Sequence, residues 1–171
     1  MKATFRFFLL LTVIFFTSCN SSPDADDTDN LFKFKDYITH HTYGVKSIAD
    51  PIRIDLAQPL SQYEIAQELP SEYIDIHPKT EGTLVVENAT TLLFQPKEYL
   101  QPDTEYTVTL QLKKLYESVE KEFRAYTFQF KTITPAFKVQ LDNLQSYSKQ
   151  WQFVDGSIET SDLISLENAK K

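Results

Sequence analysis

Two stretches of the sequence decide the fold: Tyr99-Leu100-Gln101-Pro102-Asp103-Thr104-Glu105-Tyr106-Thr107-Val108-Thr109-Leu110-Gln111-Leu112 and Tyr126-Thr127-Phe128-Gln129-Phe130-Lys131-Thr132. In the later part of the first stretch and throughout the second, apolar residues alternate with threonine, glutamine or lysine. A period of two places successive side chains on opposite faces of a β-strand, one facing a core and the other facing water. The sequence therefore predicts two strands of a β-sandwich.

The composition favours the same fold class. The chain of 171 residues contains 13 Phe and 9 Tyr but only 3 Gly, and 42% of its residues are hydrophobic. Aromatic enrichment with alternating patterns is typical of strands, and this hydrophobic content excludes a chain that is disordered throughout. We predict an all-β protein, an immunoglobulin-like β-sandwich with a partial second β unit at the C-terminus.

Four shorter runs with strand character precede the two long stretches, at residues 51–56, 73–76, 84–86 and 92–94. Six or seven short strands in residues 45–132 fit an immunoglobulin-like sandwich of about 100 residues. The run 79–82 predicts a turn in which Gly82 is free to adopt a positive φ.

A tyrosine corner is predicted where the first long strand begins. The run Leu100-x-Pro102-x-Thr104-x-Tyr106 resembles this motif, in which a tyrosine hydroxyl bonds to the backbone a few residues upstream. We assign Tyr106 the structural role of that tyrosine, with Pro102 in the loop that leads to it.

The wider pattern comprises Ala49-Asp50-Pro51-Ile52-Arg53-Ile54, Ile76-x-Pro78-x-x-x-Gly82, Phe94-x-Pro96-x-x-x-Leu100-x-Pro102-x-Thr104-x-Tyr106 and Phe128-x-Phe130-x-Thr132. It resembles the bacterial Ig-like domains of S-layer and large envelope proteins. Fibronectin type III domains share the Tyr106 pattern but normally bury a Trp in an early strand. The only Trp here is Trp151, outside the domain, so the bacterial Ig-like interpretation is preferred.

Residues 1–18 are predicted to be a lipoprotein signal peptide. Lys2 and Arg6 lead into an apolar run at residues 7–16, which has the length of a signal h-region and is shorter than the roughly 20 residues of a membrane span. Thr17-Ser18-Cys19 then resembles the bacterial lipobox, in which the peptide is cut before an acylated cysteine. Because Cys19 is the only cysteine, it cannot form an intrachain disulfide. We predict lipidation at Cys19 and attachment to the membrane through it; a cleaved soluble export signal and a retained anchor are the alternatives.

Residues 19–30 are predicted to be a flexible acidic tether. The run from Asn20 to Asn30 has four Asp and no large apolar residue, so it cannot bury enough surface to offset chain entropy. Residues 31–44 are apolar again and are predicted to lead into the sandwich and dock on its edge. The bacterial sorting rule that retains lipoproteins in the inner membrane requires Asp directly after the cysteine, and Asn20 stands there. The resemblance therefore implies an outer-membrane lipoprotein of the cell envelope, facing the periplasm or the cell surface.

Charge and motifs exclude several classes of function. A net charge of -7 without a basic stripe argues against nucleic acid as a partner. No Gly-rich phosphate loop, Gly-x-Ser-x-Gly elbow or metal signature is present, so we expect no enzyme, no cofactor and no metal. The pair His40-His41 would point to opposite sides of a strand, which does not suit a metal site. Glu64, Glu68 and Glu72 are spaced as on one helix face, and a solvated face explains them better than an acid/base pair.

The C-terminal residues 133–171 are predicted to be the incomplete start of a second domain. Phe137-x-Val139-x-Leu141 alternates as one strand, and residues 151–160 read as another. A segment of this length cannot close a core of its own.

The order of these features adds a more specific resemblance. A lipobox, an acidic spacer, Asp36-Tyr37-Ile38-Thr39-His40-His41-Thr42-Tyr43-Gly44-Val45, one Ig-like domain and then Phe137-x-Val139-x-Leu141 with Trp151-x-x-Val154-x-Gly156-x-Ile158-x-Thr160-Ser161-Asp162 resemble the N-terminus of bacterial alpha-2-macroglobulin family lipoproteins. Residues 134–171 would then begin their first macroglobulin-type domain. The resemblance implies a cell-envelope protease inhibitor, with proteases as partners of the longer protein.

Covalent trapping lies outside the chemistry of this chain. The family captures proteases with a Cys-x-Glu-Gln thioester, whereas Cys19 is followed by Asn20-Ser21-Ser22 and no other cysteine exists. The expected function is a non-enzymatic anchoring and spacing module. The alternative is a stand-alone surface lipoprotein whose Ig-like domain binds a glycan or protein partner through its loops or edge strands.

Overall fold

The computed structural model describes residues 30–146, 148–149 and 151–164. The predicted signal peptide, the lipidation site at Cys19 and nearly all of the predicted tether lie outside the described residues. Within the described part the protein is all-β, as predicted, and its sandwich strands are β1 (Ile38–His41), β2 (Val45–Lys46), β3 (Ile52–Leu56), β4 (Glu68–Leu69), β5 (Ile74–His77), β6 (Gly82–Asn88), β7 (Thr91–Pro96), β8 (Glu105–Leu110) and β9 (Tyr126–Thr132).

These strands form two sheets with immunoglobulin topology. One sheet has the order β1-β3-β7-β6-β4, and the other has the order β2-β9-β8-β5. Neighbouring strands are antiparallel except for β2, which runs parallel to β9. Taking β1, β3, β5, β6, β7, β8 and β9 as strands A to G reproduces the A-B-E-D and C-F-G sheets of a constant-type immunoglobulin domain. The short β2 and β4 are additions at sheet edges.

The core lies between the two sheets and follows the alternation of the sequence. Along β9, buried and exposed residues alternate without a break from Tyr126 to Thr132. Facing side chains come from β3, where Ile52, Ile54 and Leu56 are buried. Because each strand buries one face, a one-residue slip would turn its whole apolar set to water, so the register is strongly specified.

The sandwich begins before residue 45, the predicted start of the domain. Residues 30–33 are helical, and β1 follows and pairs with β3 at the sheet edge. Phe34 and Ile38 are buried in the core. The segment predicted to dock on the edge of the sandwich therefore supplies its first strand.

Short helical segments lie at the same end of the sandwich as residue 30. α1 (Leu112–Leu115) and a 3-10 turn, Lys121–Phe123, connect β8 to β9, and a second 3-10 turn, Ser71–Tyr73, precedes β5. The ring of Phe34 packs on those of Phe123 and Tyr126, with centroids 5.2 and 5.1 Å away. Among the described residues, no helix is long and apolar enough to cross a membrane.

The prediction that Gly82 lies in a turn and is needed there for a positive φ was wrong. Gly82 is the first residue of β6 and pairs with Pro96, and its φ is not positive; Gly44 is the glycine with a positive φ, of 67°. A Cβ at Gly82 would lie 2.4 Å from the carbonyl oxygen of Gln95 and 2.5 Å from the ring of Phe94. Glycine is required here because two strands approach closely.

After the sandwich, the chain forms a separate β-ribbon, and we call its described residues between 137 and 164 the arm. β10 (Phe137–Leu141) pairs with β13 (Gly156–Thr160), and β11 (Gln145–Ser146) pairs with β12 (Gln152–Phe153). The predicted strand at 151–160 is thus divided into β12 and β13. Every residue of these four strands is exposed, and they pair with each other rather than with either sheet of the sandwich.

Candidate functional site at the C-terminal pole

The end of the sandwich at which β9 finishes, which we call the C-terminal pole, gathers the structural residues assigned from the sequence. The loop at residues 97–104, the turn at 47–51 and the turn at 78–81 meet there, and the chain leaves through residues 133–136. Tyr106, Pro102 and Gly82 lie in or beside these connections. The N-terminal pole, where residues 30–37 pack, is at the opposite end of β9.

Tyr106 forms the predicted tyrosine corner. The backbone N–H of Gln101 donates to the Tyr106 hydroxyl over 2.9 Å. Its ring is stacked on Phe130 at a centroid distance of 5.3 Å and is buried. The hydroxyl therefore fixes the loop to the sandwich, while the ring belongs to the core.

Thr132 connects the same loop to the last residue of β9. Its hydroxyl donates to the Gln101 carbonyl over 2.6 Å and accepts from the N–H of Thr104 over 2.9 Å. The N–H of Thr132 donates to the Thr104 carbonyl, also over 2.9 Å. Thr132 itself is fully buried, and its hydroxyl and N–H attach the partly exposed loop to the end of β9 through three hydrogen bonds.

Asp103 attaches the loop to the linker after β9. Its carboxylate accepts from the Thr134 hydroxyl over 2.6 Å and pairs with Lys131 over 2.7 Å, and its N–H donates to the carbonyl of Ile133 over 3.1 Å. Hydrogen bonds from Lys131 and Thr134 lower the pKa of Asp103. Asp103 has a φ of 50°, a left-handed conformation that Asp tolerates better than most residues. Pro102 precedes it, and its carbonyl accepts from the Thr104 hydroxyl over 2.8 Å.

Two clefts of about 370 Å³ each lie on either side of this loop. Ile48, Ala49 and Pro96 line the first, Lys79 and Glu81 line the second, and residues 97–99 border both. Tyr99 is 68% exposed between them. Neither lining includes a histidine or a cysteine, and both combine apolar with charged side chains.

The two adjacent histidines point to opposite sides of β1, as the sequence predicts. His41 is buried, with its ring centroid 4.4 Å from that of Phe128 and its Nδ1 2.9 Å from the carbonyl oxygen of Thr42. His40 is exposed beside Tyr43. Among the described residues, no group of three or more His, Cys, Asp or Glu side chains could hold a metal ion.

Glu64, Glu68 and Glu72 do not share a helix face. Glu68 lies in β4 and Glu72 in a 3-10 turn, where Glu72 pairs with Lys114 over 2.7 Å. All three side chains are exposed, in keeping with the interpretation as solvated glutamates.

The sequence did not reveal the roles of Thr132, Asp103 and Asp162 at this pole. Their partners lie 28 to 115 residues away along the chain, so no local spacing signals them. The one available hint for Asp103 was the Pro-Asp pair in the loop, which is typical of turns.

Comparisons with known proteins give no family for this chain. No family model matches it, and no curated protein matches it. Among solved structures, L,D-transpeptidase 3 from Mycobacterium tuberculosis, in complex with a faropenem-derived adduct, is similar at a TM-score of 0.39 and 12% identity, over 61% of this chain and 40% of that chain. The chain thus spans less than half the length of that structure's chain. A similarity at this level carries no argument about fold or activity.

Proposed function

We propose that the protein is a non-enzymatic, membrane-anchored spacer. The observation that carries this proposal is the position of the two connections of the sandwich. The chain joins it at the N-terminal pole, where Asn30 donates to the Thr127 carbonyl near the start of β9. It leaves at the C-terminal pole, after Thr132. A module connected at opposite ends holds the segments on its two sides apart.

The strand between these connections sets the length of the spacer. β9 contains seven residues, so it spans about 20 Å at the rise of an antiparallel strand. The bonds of Thr132, Asp103 and Tyr106 hold the exit of the chain against the sandwich. The separation is therefore kept by a packed domain rather than by a flexible linker.

The proposed anchor is the lipid on Cys19. Residues 20–30, if extended, reach at most about 40 Å, which would add to the separation provided by the sandwich. Acyl chains contribute about 0.8 kcal/mol per buried CH2, so a multiply acylated cysteine is a firm anchor where a single chain is marginal. We place the protein in the cell envelope, as an outer-membrane lipoprotein.

The more specific proposal is that this module forms the anchoring and spacing N-terminus of a macroglobulin-like protease inhibitor. Its supports are the order of sequence features and the arm, in which Phe137, Leu141 and Trp151 are 73%, 71% and 75% exposed. Such apolar exposure is typical of a surface that another part of an assembly covers. This chain has no thioester motif, so it would not capture proteases itself. Proteases would instead be partners of the larger inhibitor.

The anchor is tested by Cys19→Ala in the native host. The unchanged protein is expected in the membrane fraction, with a mass above that of its mature polypeptide by the mass of its acyl chains. Cys19→Ala should lose both properties, and Cys19→Ser, which keeps the size of the side chain but also lacks the thiol, should lose them too. A variant that stays in the membrane fraction with unchanged mass would contradict the proposed anchor.

A second candidate function is a stand-alone lipoprotein that binds a glycan or protein partner. The two clefts beside Tyr99 favour it, because exposed aromatic residues in loops on a rigid scaffold are common in binding sites. The gene neighbourhood distinguishes the two functions. An adjacent reading frame encoding macroglobulin-like repeats favours the spacer, whereas unrelated neighbouring genes favour the stand-alone binder.

A further inference from the structure

Asp162, near the end of the arm, is bonded to the turn between β2 and β3. One carboxylate oxygen accepts from the Ser47 hydroxyl over 2.6 Å, and the other accepts from the N–H of Ile48 over 2.8 Å. The N–H of Leu163 also donates to the first of these oxygens, the one bonded to Ser47, over 2.8 Å. The two partners in the sandwich are more than 100 residues earlier in the chain, so this contact joins the arm to the sandwich.

The linker provides a second connection nearby. The N–H of Ile133 donates to the Lys46 carbonyl over 2.9 Å, and the Thr134 hydroxyl bonds to Asp103. Pro135 comes next, and its ring fixes φ near -65°. The arm can therefore rotate relative to the sandwich only about the few free backbone torsions between Thr134 and Ala136, which we call the hinge.

The base of the arm is closed directly after those torsions. The N–H of Ser161 donates to the Ala136 carbonyl, and the N–H of Ala136 donates to the Ser161 hydroxyl, both over 2.9 Å. The Ser161 hydroxyl in turn donates to the Thr134 carbonyl over 3.1 Å. Asp162 is the next residue. Its bonds to Ser47 and Ile48 therefore connect the arm to the sandwich a second time, in addition to the covalent connection through the hinge.

We propose that Asp162 acts as a latch that fixes the direction of the arm relative to the sandwich. While the carboxylate holds the turn at Ser47, the arm and the sandwich move as one body. When the latch is open, the arm swings about the linker on either side of Pro135. This role does not depend on the membrane anchor, because it concerns only contacts within the described residues.

The chemistry of the latch requires an ionised carboxylate. Burial raises the pKa of Asp162, but the hydrogen bonds from Ser47 and from the N–H groups of Ile48 and Leu163 outweigh it and hold the pKa below its ordinary value. Hydrogen bonds to charged groups are stronger than neutral ones. Asparagine has nearly the same shape, but its amide is uncharged and only one of its two terminal atoms is an acceptor, so it cannot accept from Ser47, Ile48 and Leu163 as the carboxylate does.

Distance measurements between two spin labels test the latch. The full chain carries Cys19→Ser, so that labels attach only to cysteines introduced at Asp75, on β5, and at Lys138, on the polar face of β10. Pulsed electron spin resonance should give one narrow distance distribution. In Asp162→Ala and in Ser47→Ala the distribution should become at least twice as broad, because the arm samples many directions.

The matched control is Asp155→Ala, which removes an exposed carboxylate from the same arm, where the N–H of Asp142 bonds to the Asp155 backbone carbonyl. It should leave the distribution narrow. Equal widths in Asp162→Ala and Asp155→Ala would overturn the proposal, as would a broad distribution in the parent chain. Should Asp162→Ala lose its thermal unfolding transition, Asp162→Asn and Ser47→Ala decide the question, and narrow distributions in both reject the latch.

Discussion

At the scale of single residues, Tyr106 gives the most direct prediction. Tyr106→Phe keeps the ring on Phe130 and removes only the acceptor for the N–H of Gln101. The free energy of unfolding should fall by about 1 kcal/mol, the typical net value of one hydrogen bond. In urea unfolding, the midpoint should move to lower denaturant with an unchanged slope. Tyr99→Phe, which changes an exposed hydroxyl, is the control, and equal midpoints for both variants would contradict the assignment.

Tyr106 was predictable from the sequence, whereas Thr132 was not. The tyrosine and its partner Gln101 are five residues apart, so a local motif carries the information. The partners of Thr132 are 28 and 31 residues away, and they come together only after the sheet containing β8 and β9 has formed. Sequence patterns report periodicity and local turns well, but hydrogen bonds between distant loops depend on the assembled fold.

Asp55 gives a prediction for the pH dependence of stability. Burial raises the pKa of Asp55, but hydrogen bonds from Arg53 and Thr91 outweigh it, so the pKa in the folded protein lies below its ordinary value. A carboxyl group with a lowered folded pKa stabilises the protein above its unfolded pKa of about 4 and loses that contribution as the pH falls through the folded pKa. Arg53 and Thr91 lie 3.0 and 2.8 Å from the carboxylate.

The measurement compares Asp55→Asn with the unchanged protein in urea between neutral and strongly acidic pH. The variant should be less stable near neutrality, and the difference should shrink as the pH falls below about 4. Asp75→Asn, at an exposed position of β5, is the control for loss of one negative charge. A difference that is constant over the whole pH range would show that Asp55 contributes only through packing.

At the scale of secondary structure, the pairing of β6 with β7 depends on Gly82. In Gly82→Ala, the new Cβ would meet the Gln95 carbonyl oxygen and the Phe94 ring, so the strands must move apart. Overpacking of this kind costs about 1–3 kcal/mol, and the thermal midpoint should fall accordingly. Gly44→Ala is the informative comparison, since it has a positive φ but nothing within 4 Å of a Cβ.

Gly44→Asn separates the two physical reasons for a glycine. Asparagine tolerates the left-handed region better than alanine, so Gly44→Asn should be more stable than Gly44→Ala. At position 82 the larger asparagine should be at least as harmful as alanine, because the obstacle there is space. Recovery of stability in Gly82→Asn would contradict the steric explanation.

The strands that the sequence predicted best are those with regular alternation. β3, β5, β8, β9 and β10 coincide with predicted runs, because each has a period of two over four or more residues. β2 and β4 have two residues each, too few to show a period. β1 contains an irregularity between Ile38 and His40, which breaks the alternation that would have revealed it.

At the scale of the whole molecule, the arm combines one apolar and one polar face. Phe137, Val139 and Leu141 alternate along β10, and Ile158 lies opposite Val139 in the register with β13. Lys138 and Glu159 pair on the other face. An isolated two-stranded ribbon is marginally stable in water at best. Packing of another surface on the apolar face would therefore stabilise the arm.

The exposed face predicts binding of a dye that reports accessible apolar surface. The full chain should enhance the fluorescence of anilinonaphthalene sulfonate while its near-UV circular dichroism stays that of a packed protein, a combination that a molten globule does not show. Val139→Thr should reduce the enhancement several-fold, because it places a hydroxyl at the centre of the face. Lys138→Thr changes the opposite face and should have little effect. Fluorescence that is equal in both variants would mean that the dye binds elsewhere, with the clefts beside Tyr99 as the next position to test by Tyr99→Ser.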